Sequence, residues 1–423
     1  MTRNREATTP GTDENPPPPY PSSFREAEAR GRRIARPLLL LTGLGGDVDE
    51  ALMARLGAAR RRGDALGAAL AAATLLPAGD PHRVTRARIG TALRAAPGLP
   101  PDLPPALRAF LEHATAVPGW VDRDRIERGA AAYRRLGRTS ADVLTLLSLV
   151  GGYRFGGPAD LLVRTGGLTG DTTLRRLGET SAWAHAVTRP GGLLPGAEGW
   201  RLTVHVRAMH ALVNARFAPG WDTARWGLPI NQADQAATLG LFDATLILGS
   251  RVLGAPLTRR DRDDLMHLWR YVGLLMGVDP EWLTDAERVR HRLNHHILLA
   301  AAGQTQAGRD LARLTVDAQA QRRFGHADPT VERLHQRYER ARQLSLLTVF
   351  MGPTGMRELG LRPRLPWALP LSLAANTVRH RLLGALPGGR ARREAYGARA
   401  QERHLASLFP DGPAAVAHLP EPG

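Results

Sequence analysis

The 423-residue sequence contains no cysteine and no lysine, so all 57 of its basic residues are arginine. Without cysteine there can be no disulfide, thiolate nucleophile, zinc–cysteine site, cysteine-bound iron–sulfur cluster, thiolate-ligated haem or c-type haem attachment. Without lysine, Schiff-base catalysis and a P-loop are excluded. Aromatic residues make up only 5% of the chain. No segment reaches the roughly 18 uncharged apolar residues that a membrane-spanning helix needs. The apolar run 37–44 is too short to span and lacks a cleavage pattern, so the expectation is a cytoplasmic protein. What remains is histidine, carboxylate, hydroxyl and arginine chemistry.

The composition, 43% hydrophobic and 23% charged, is that of a globular protein with a core. Alanine and leucine dominate and favour helices, and no period-2 strand or internal repeat stands out, so the expected class is all-α. Residues 1–35 read as a disordered proline-rich tail, 36–389 as one large helical domain, and 390–423 as a charged, loosely held helix and tail. The stretch GGYRFGGP at 151–158 lacks the ending of a phosphate loop and reads as a tight helix–helix connection. The formal net charge of +17 admits an anionic membrane or nucleic acid as partner. No basic helix with base-reading residues is evident, so nucleic acid is not expected.

Several clusters could carry chemistry. His291, His295 and His296 have spacing compatible with a metal on one helix. Asp263, Asp264 and His267 resemble part of an acidic metal motif, and Glu332 with His335 forms a lone Glu-x-x-His pair. Each is better explained as an interface or a solvated helix face. There is no G-x-S-x-G elbow for serine hydrolysis.

The segment VHVRAMHALVNARF, 204–217, is more informative. Val206, Met209, His210, Val213 and Phe217 share one helical face, which predicts that His210 points into the core. Arg207 lies one turn earlier. Upstream, Arg176 and Thr180 share a face of another amphipathic helix. Downstream, WGLPINQ leads into a helix with Thr238, Phe242 and Asp243. Polar groups on helices that pack together are how a cofactor pocket in a helical protein is built.

VRAMHALVNARF, GLPINQADQAATLGLF, GGPADLLVRTGGL and RRLGETSAW, in this order, resemble the rubber oxygenase (latex clearing protein) and MpaB-type oxygenase catalytic domain family. GWVDRDRIERGAAAYRRLG is similar to that family's amino-terminal half. The resemblance covers roughly residues 100 to 300, with weaker similarity to about 390. It implies a single helical domain with a globin-like core around a haem b pocket. It also implies oxygen-dependent cleavage of a C=C bond in an isoprenoid. His210 would match the proximal iron ligand, with Arg207 and Asn214 beside it and Met209, Val213 and Phe217 forming an apolar slot. Arg176 and Thr180 would match distal residues, and Asp160 the catalytic acid, which is a glutamate in rubber oxygenases.

The sequence departs from the family in two places. Glu179 stands where some members carry lysine, and Asn214 where arginine is common. A neutral imidazole suits iron, and burial beside a guanidinium favours that form. With no export signal in view, a smaller apolar molecule than extracellular rubber is the expected substrate, with O2 as co-substrate. The competing class is a non-catalytic basic helical protein that binds anionic membrane or nucleic acid.

Overall fold

The computed structural model describes residues 19–166 and 170–409. The remaining parts of both expected tails, 1–18 and 410–423, lie outside the described residues. Among the described residues every regular element is helical, as the alanine- and leucine-rich composition predicts. No described helix is long and apolar enough to cross a membrane. The first helix, Glu28–Thr42, crosses the expected boundary at 35/36.

Local signals place many of the helix ends. Thr258 caps Arg259–Leu275 by accepting from the Asp261 N–H, and Asn231 caps Gln232–Phe242 by accepting from Asp234 N–H. Two pairs of consecutive helices are separated by short breaks. Asp243, with φ −98° and ψ −98°, separates Gln232–Phe242 from Ala244–Val252. Its fully buried carboxylate meets the equally buried Arg290 at 2.8 Å. Residues between Ala59 and Ala65 likewise separate Glu50–Ala59 from Ala65–Thr74.

The glycine-rich connection is confirmed as a turn. Gly156 N–H donates to the Gly303 carbonyl, and Gly157 takes a φ of +91° just before helix Pro158–Arg164.

Helix Glu198–Phe217 runs through the middle of the fold and packs against Ala65–Thr74, Arg86–Ala95, Gly170–Val187 and Arg259–Leu275. Trp200 anchors it. The indole is fully buried, and its N–H donates to the Ala114 carbonyl at 3.1 Å. Arg123–Leu136 lies so close to Arg259–Leu275 that a Cβ at Gly129 would collide with the Asp264 carbonyl. Gly397 meets the Arg134 carbonyl in the same way, which seats the last helix, Gly389–Leu408, against Arg123–Leu136. That helix is therefore docked rather than loosely held. Many of the arginines are held in ion pairs, including Arg135 with Asp261 and Arg154 with Glu358.

Candidate functional site

Helices Gly170–Val187 and Glu198–Phe217 form an antiparallel hairpin. At its closed end Gly199 abuts Ala186 and Val187, where a Cβ would come within 2.6 Å of the Ala186 carbonyl oxygen. One turn further in, the Trp183 indole N–H donates to Thr203 Oγ1 at 3.0 Å. Beyond this clamp both helices carry residues that protein does not fully cover. Arg175, Arg176 and Thr180 are exposed on one, and Val206, Met209, His210, Val213, Asn214 and Phe217 are only half-buried on the other.

This corrects the expected orientation of the second helix. Its fully packed face is Trp200, Thr203, Val204, Arg207, Ala208 and Ala211, not the Val206–Phe217 stripe. Hydrophobic spacing identifies an apolar face but cannot say whether protein or another molecule covers it.

Enclosure by the surrounding protein pushes the His210 pKa down to about 4, against a small opposing pull from Asp64. The ring is therefore neutral at physiological pH. Its Nδ1 is buried and has no hydrogen-bond partner among the described residues. An orphaned ring nitrogen normally costs stability, so its presence on a half-covered apolar stripe fits a residue kept for a ligand. Neutral imidazole with flanking Met209, Val213 and Phe217 is a donor set suited to an apolar, iron-bearing macrocycle.

Arg207 does something other than the resemblance implies. Its guanidinium forks onto Asp64, with Nε–Oδ2 at 2.6 Å and Nη2–Oδ1 at 2.8 Å. Nη1 lies 3.1 Å from His113 Nδ1, and the cation sits 4.8 Å from the Phe110 ring centroid. Arg207 is thus committed to the hairpin's packed side. Asn214 Oδ1 accepts from Ile230 N–H at 3.1 Å and so fixes the WGLPIN loop.

On the other helix, Thr180 Oγ1 donates to the Arg176 carbonyl. Burial pushes the Glu179 carboxyl upward, opposed by Arg175 and Arg176, and Arg175 lies 3.6 Å away. Asp160 is a helix cap. Its Oδ2 accepts from Gly157 N–H and Thr305 Oγ1, both at 3.0 Å. The sequence held the signal for that role, since Gly157-Pro158-Ala159-Asp160 is a helix-start pattern.

A cavity of about 150 Å³ lies beside Thr180. Leu144, Leu149, Leu177, Leu241 and Phe242 make it largely apolar. Of the expected site residues only Thr180 lines it. His210, Arg207, Met209, Val213, Asn214, Phe217, Arg176, Glu179 and Asp160 do not. Gln401, His404 and Leu405 of the last helix also line it. The sequence reading missed them because the high charge of that helix suggested a solvated end.

The alternative metal clusters are accounted for by packing. His296 Nε2 accepts from Asp49 N–H, and its Nδ1 donates to the Arg292 carbonyl. His291 pairs with Glu287. Asp264 is held by Arg125 and Arg128, and His267 Nε2 accepts from Asp122 N–H. Glu332 accepts from two backbone N–H groups, while His335 stacks on Phe324. Among the described residues no group of three or more potential ligands could hold a metal.

Comparison with known proteins places these features in context. Residues 138–380 match the family described as ER-bound oxygenase mpaB/B'/Rubber oxygenase, catalytic domain. The rubber oxygenase of Streptomyces sp. (strain K30) is 22% identical over 237 residues, which cover 55% of this chain and 58% of the relative. The match thus spans less than two thirds of that relative's length. The solved structure of latex clearing protein in the closed state superposes with a TM-score of 0.62 at 19% identity. That superposition covers 86% of this chain and 93% of the other, and shows a shared fold.

Proposed function

Because the chain belongs to the mpaB/B' and rubber oxygenase catalytic domain family, we propose that it is a haem b-dependent oxygenase that uses O2 to cleave a C=C bond in an isoprenoid or related apolar substrate. The observation that carries this reading is His210, a neutral imidazole with an unpartnered buried nitrogen on an apolar stripe that protein leaves half-covered. His210 would hold the prosthetic group, with Met209, Val213 and Phe217 against its apolar faces. When bound, haem supplies redox-active iron that activates O2.

The chain's own groups do the rest. Leu144, Leu149, Leu241 and Phe242 exclude water and take up the hydrocarbon. Thr180 presents a hydroxyl at the cavity wall, and Arg176 places positive charge one turn away, where negative charge on oxygen would be stabilised. Asp160, whose Oδ2 caps its own helix, is assigned in this reading as the acceptor of an allylic proton. Glu179, with its pKa raised by burial against the pull of Arg175 and Arg176, is a second carboxylate on the Thr180 helix. In this reading residues 36–389 form the oxygenase domain, with the final helix completing its cavity wall.

The test is incubation of haem-loaded protein with a linear isoprenoid under ¹⁸O₂ and mass spectrometry of the products. The expected result is paired carbonyl fragments carrying the label. Unchanged isoprenoid with no oxygen uptake would overturn the proposal.

A further inference from the structure

The walls of this cavity are not uniformly inert. Four of the lining hydroxyls spend their hydrogens on backbone carbonyls. Thr180 donates to Arg176, Ser181 to Leu177, Ser148 to Leu241 and Thr238 to Asp234. The last helix contributes groups of a different kind. Gln401 is 92% buried (8% exposed). Its Nε2 donates to the Tyr133 carbonyl at 3.3 Å and to Ser140 Oγ at 3.1 Å. A carbonyl can only accept, so this contact fixes the amide orientation. Among the described residues Oε1 has no hydrogen-bond partner, and it is buried.

One turn later, His404 Nδ1 lies 3.1 Å from Arg322 Nη2. A guanidinium only donates, so Nδ1 accepts and the ring hydrogen sits on Nε2. Burial and the nearby Arg322 hold His404 well below its usual pKa, which keeps it neutral. His185 lines the same cavity and feels the charge of Glu402 on the last helix. An acceptor without a partner among the described residues and a ring N–H donor therefore stand one helical turn apart in a largely apolar chamber. A hydroxyl is the simplest group that both donates and accepts.

We propose that the cavity takes an apolar chain ending in an alcohol, with the hydroxyl donating to Gln401 Oε1 and accepting from His404 Nε2–H. The substrate class is then an isoprenoid alcohol of finite length rather than a polymeric hydrocarbon. This inference rests on the cavity being the substrate chamber of the proposed oxygenase, and its test separates the two. Calorimetry would compare geranylgeraniol with its methyl ether on haem-loaded protein. The ether keeps the acceptor oxygen and loses only the donor.

Wild-type protein is expected to bind the alcohol about tenfold or more tighter. Gln401→Met is expected to remove that preference while still binding the ether. His404→Phe is expected to weaken both ligands, and His404→Gln, which retains a donor, to restore them. Circular dichroism checks that each variant is folded. Equal affinity for alcohol and ether in the wild type, or no binding of either, overturns the inference. Labelled-oxygen cleavage of the ether would leave the oxygenase reading standing in that case.

Discussion

Arg207→Met is expected to lower the unfolding free energy of the haem-free protein by about 3 kcal/mol, read from urea denaturation followed by circular dichroism. The guanidinium is 2% exposed and Asp64 14% exposed, so removing the cation strands a largely buried carboxylate. Gly277, at φ +79°, lets the backbone approach closely. A Cβ there would lie 2.6 Å from Arg207 Nε and 2.7 Å from Asp64 Oδ2, so the pair has no room to rearrange. Replacing both partners together, Asp64→Leu with Arg207→Met, is expected to recover most of the loss, because no charge is then left unpaired. An arginine that served only the propionates of a prosthetic group would behave differently. Its removal would leave haem-free stability unchanged and weaken haem binding alone.

His210→Leu is expected to show the opposite pattern. The variant removes an orphaned buried nitrogen, so the haem-free protein should gain up to about 1 kcal/mol. Haem affinity should fall at least about 100-fold, and oxygen-dependent turnover should fall to background. Stability that rises as activity vanishes marks a residue held in place for function rather than for packing. A destabilised variant that keeps haem would identify His210 as an ordinary core histidine. Titrating haem into each variant while following the denaturation midpoint measures both quantities in one series.

Much of this arrangement was legible in the sequence. The helical class followed from alanine and leucine content, the 151–158 turn from its glycines, and the start at Thr258 from its capping chemistry. The expected site residues came from the His210 stripe, from Arg176 with Thr180 and from the family resemblance, and of these Thr180 alone lines the cavity. What was not legible lay in long-range pairing. Nothing in local spacing says that Arg207 would find Asp64, 143 residues earlier. Nor does it say that the packed face of its helix would run through Trp200, Thr203 and Ala208 instead of the more apolar stripe. The role of the last helix was hidden for a similar reason. Its contacts to Tyr133 and Ser140 lie 268 and 261 residues away, and its arginines gave it the look of a solvated surface. Asp160 was read through family resemblance, although its capping position was already visible three residues after Gly157.

The central claim is that His210 binds iron in a haem carried by this chain. Stepwise addition of haemin to the purified protein, followed by absorption in the oxidised and then the dithionite-reduced state, tests it most directly. The expected result is a sharpened Soret band that saturates at one haem per chain and is absent or displaced in His210→Leu. Spectra that stay those of free haemin, or a band indifferent to the His210 substitution, would contradict it.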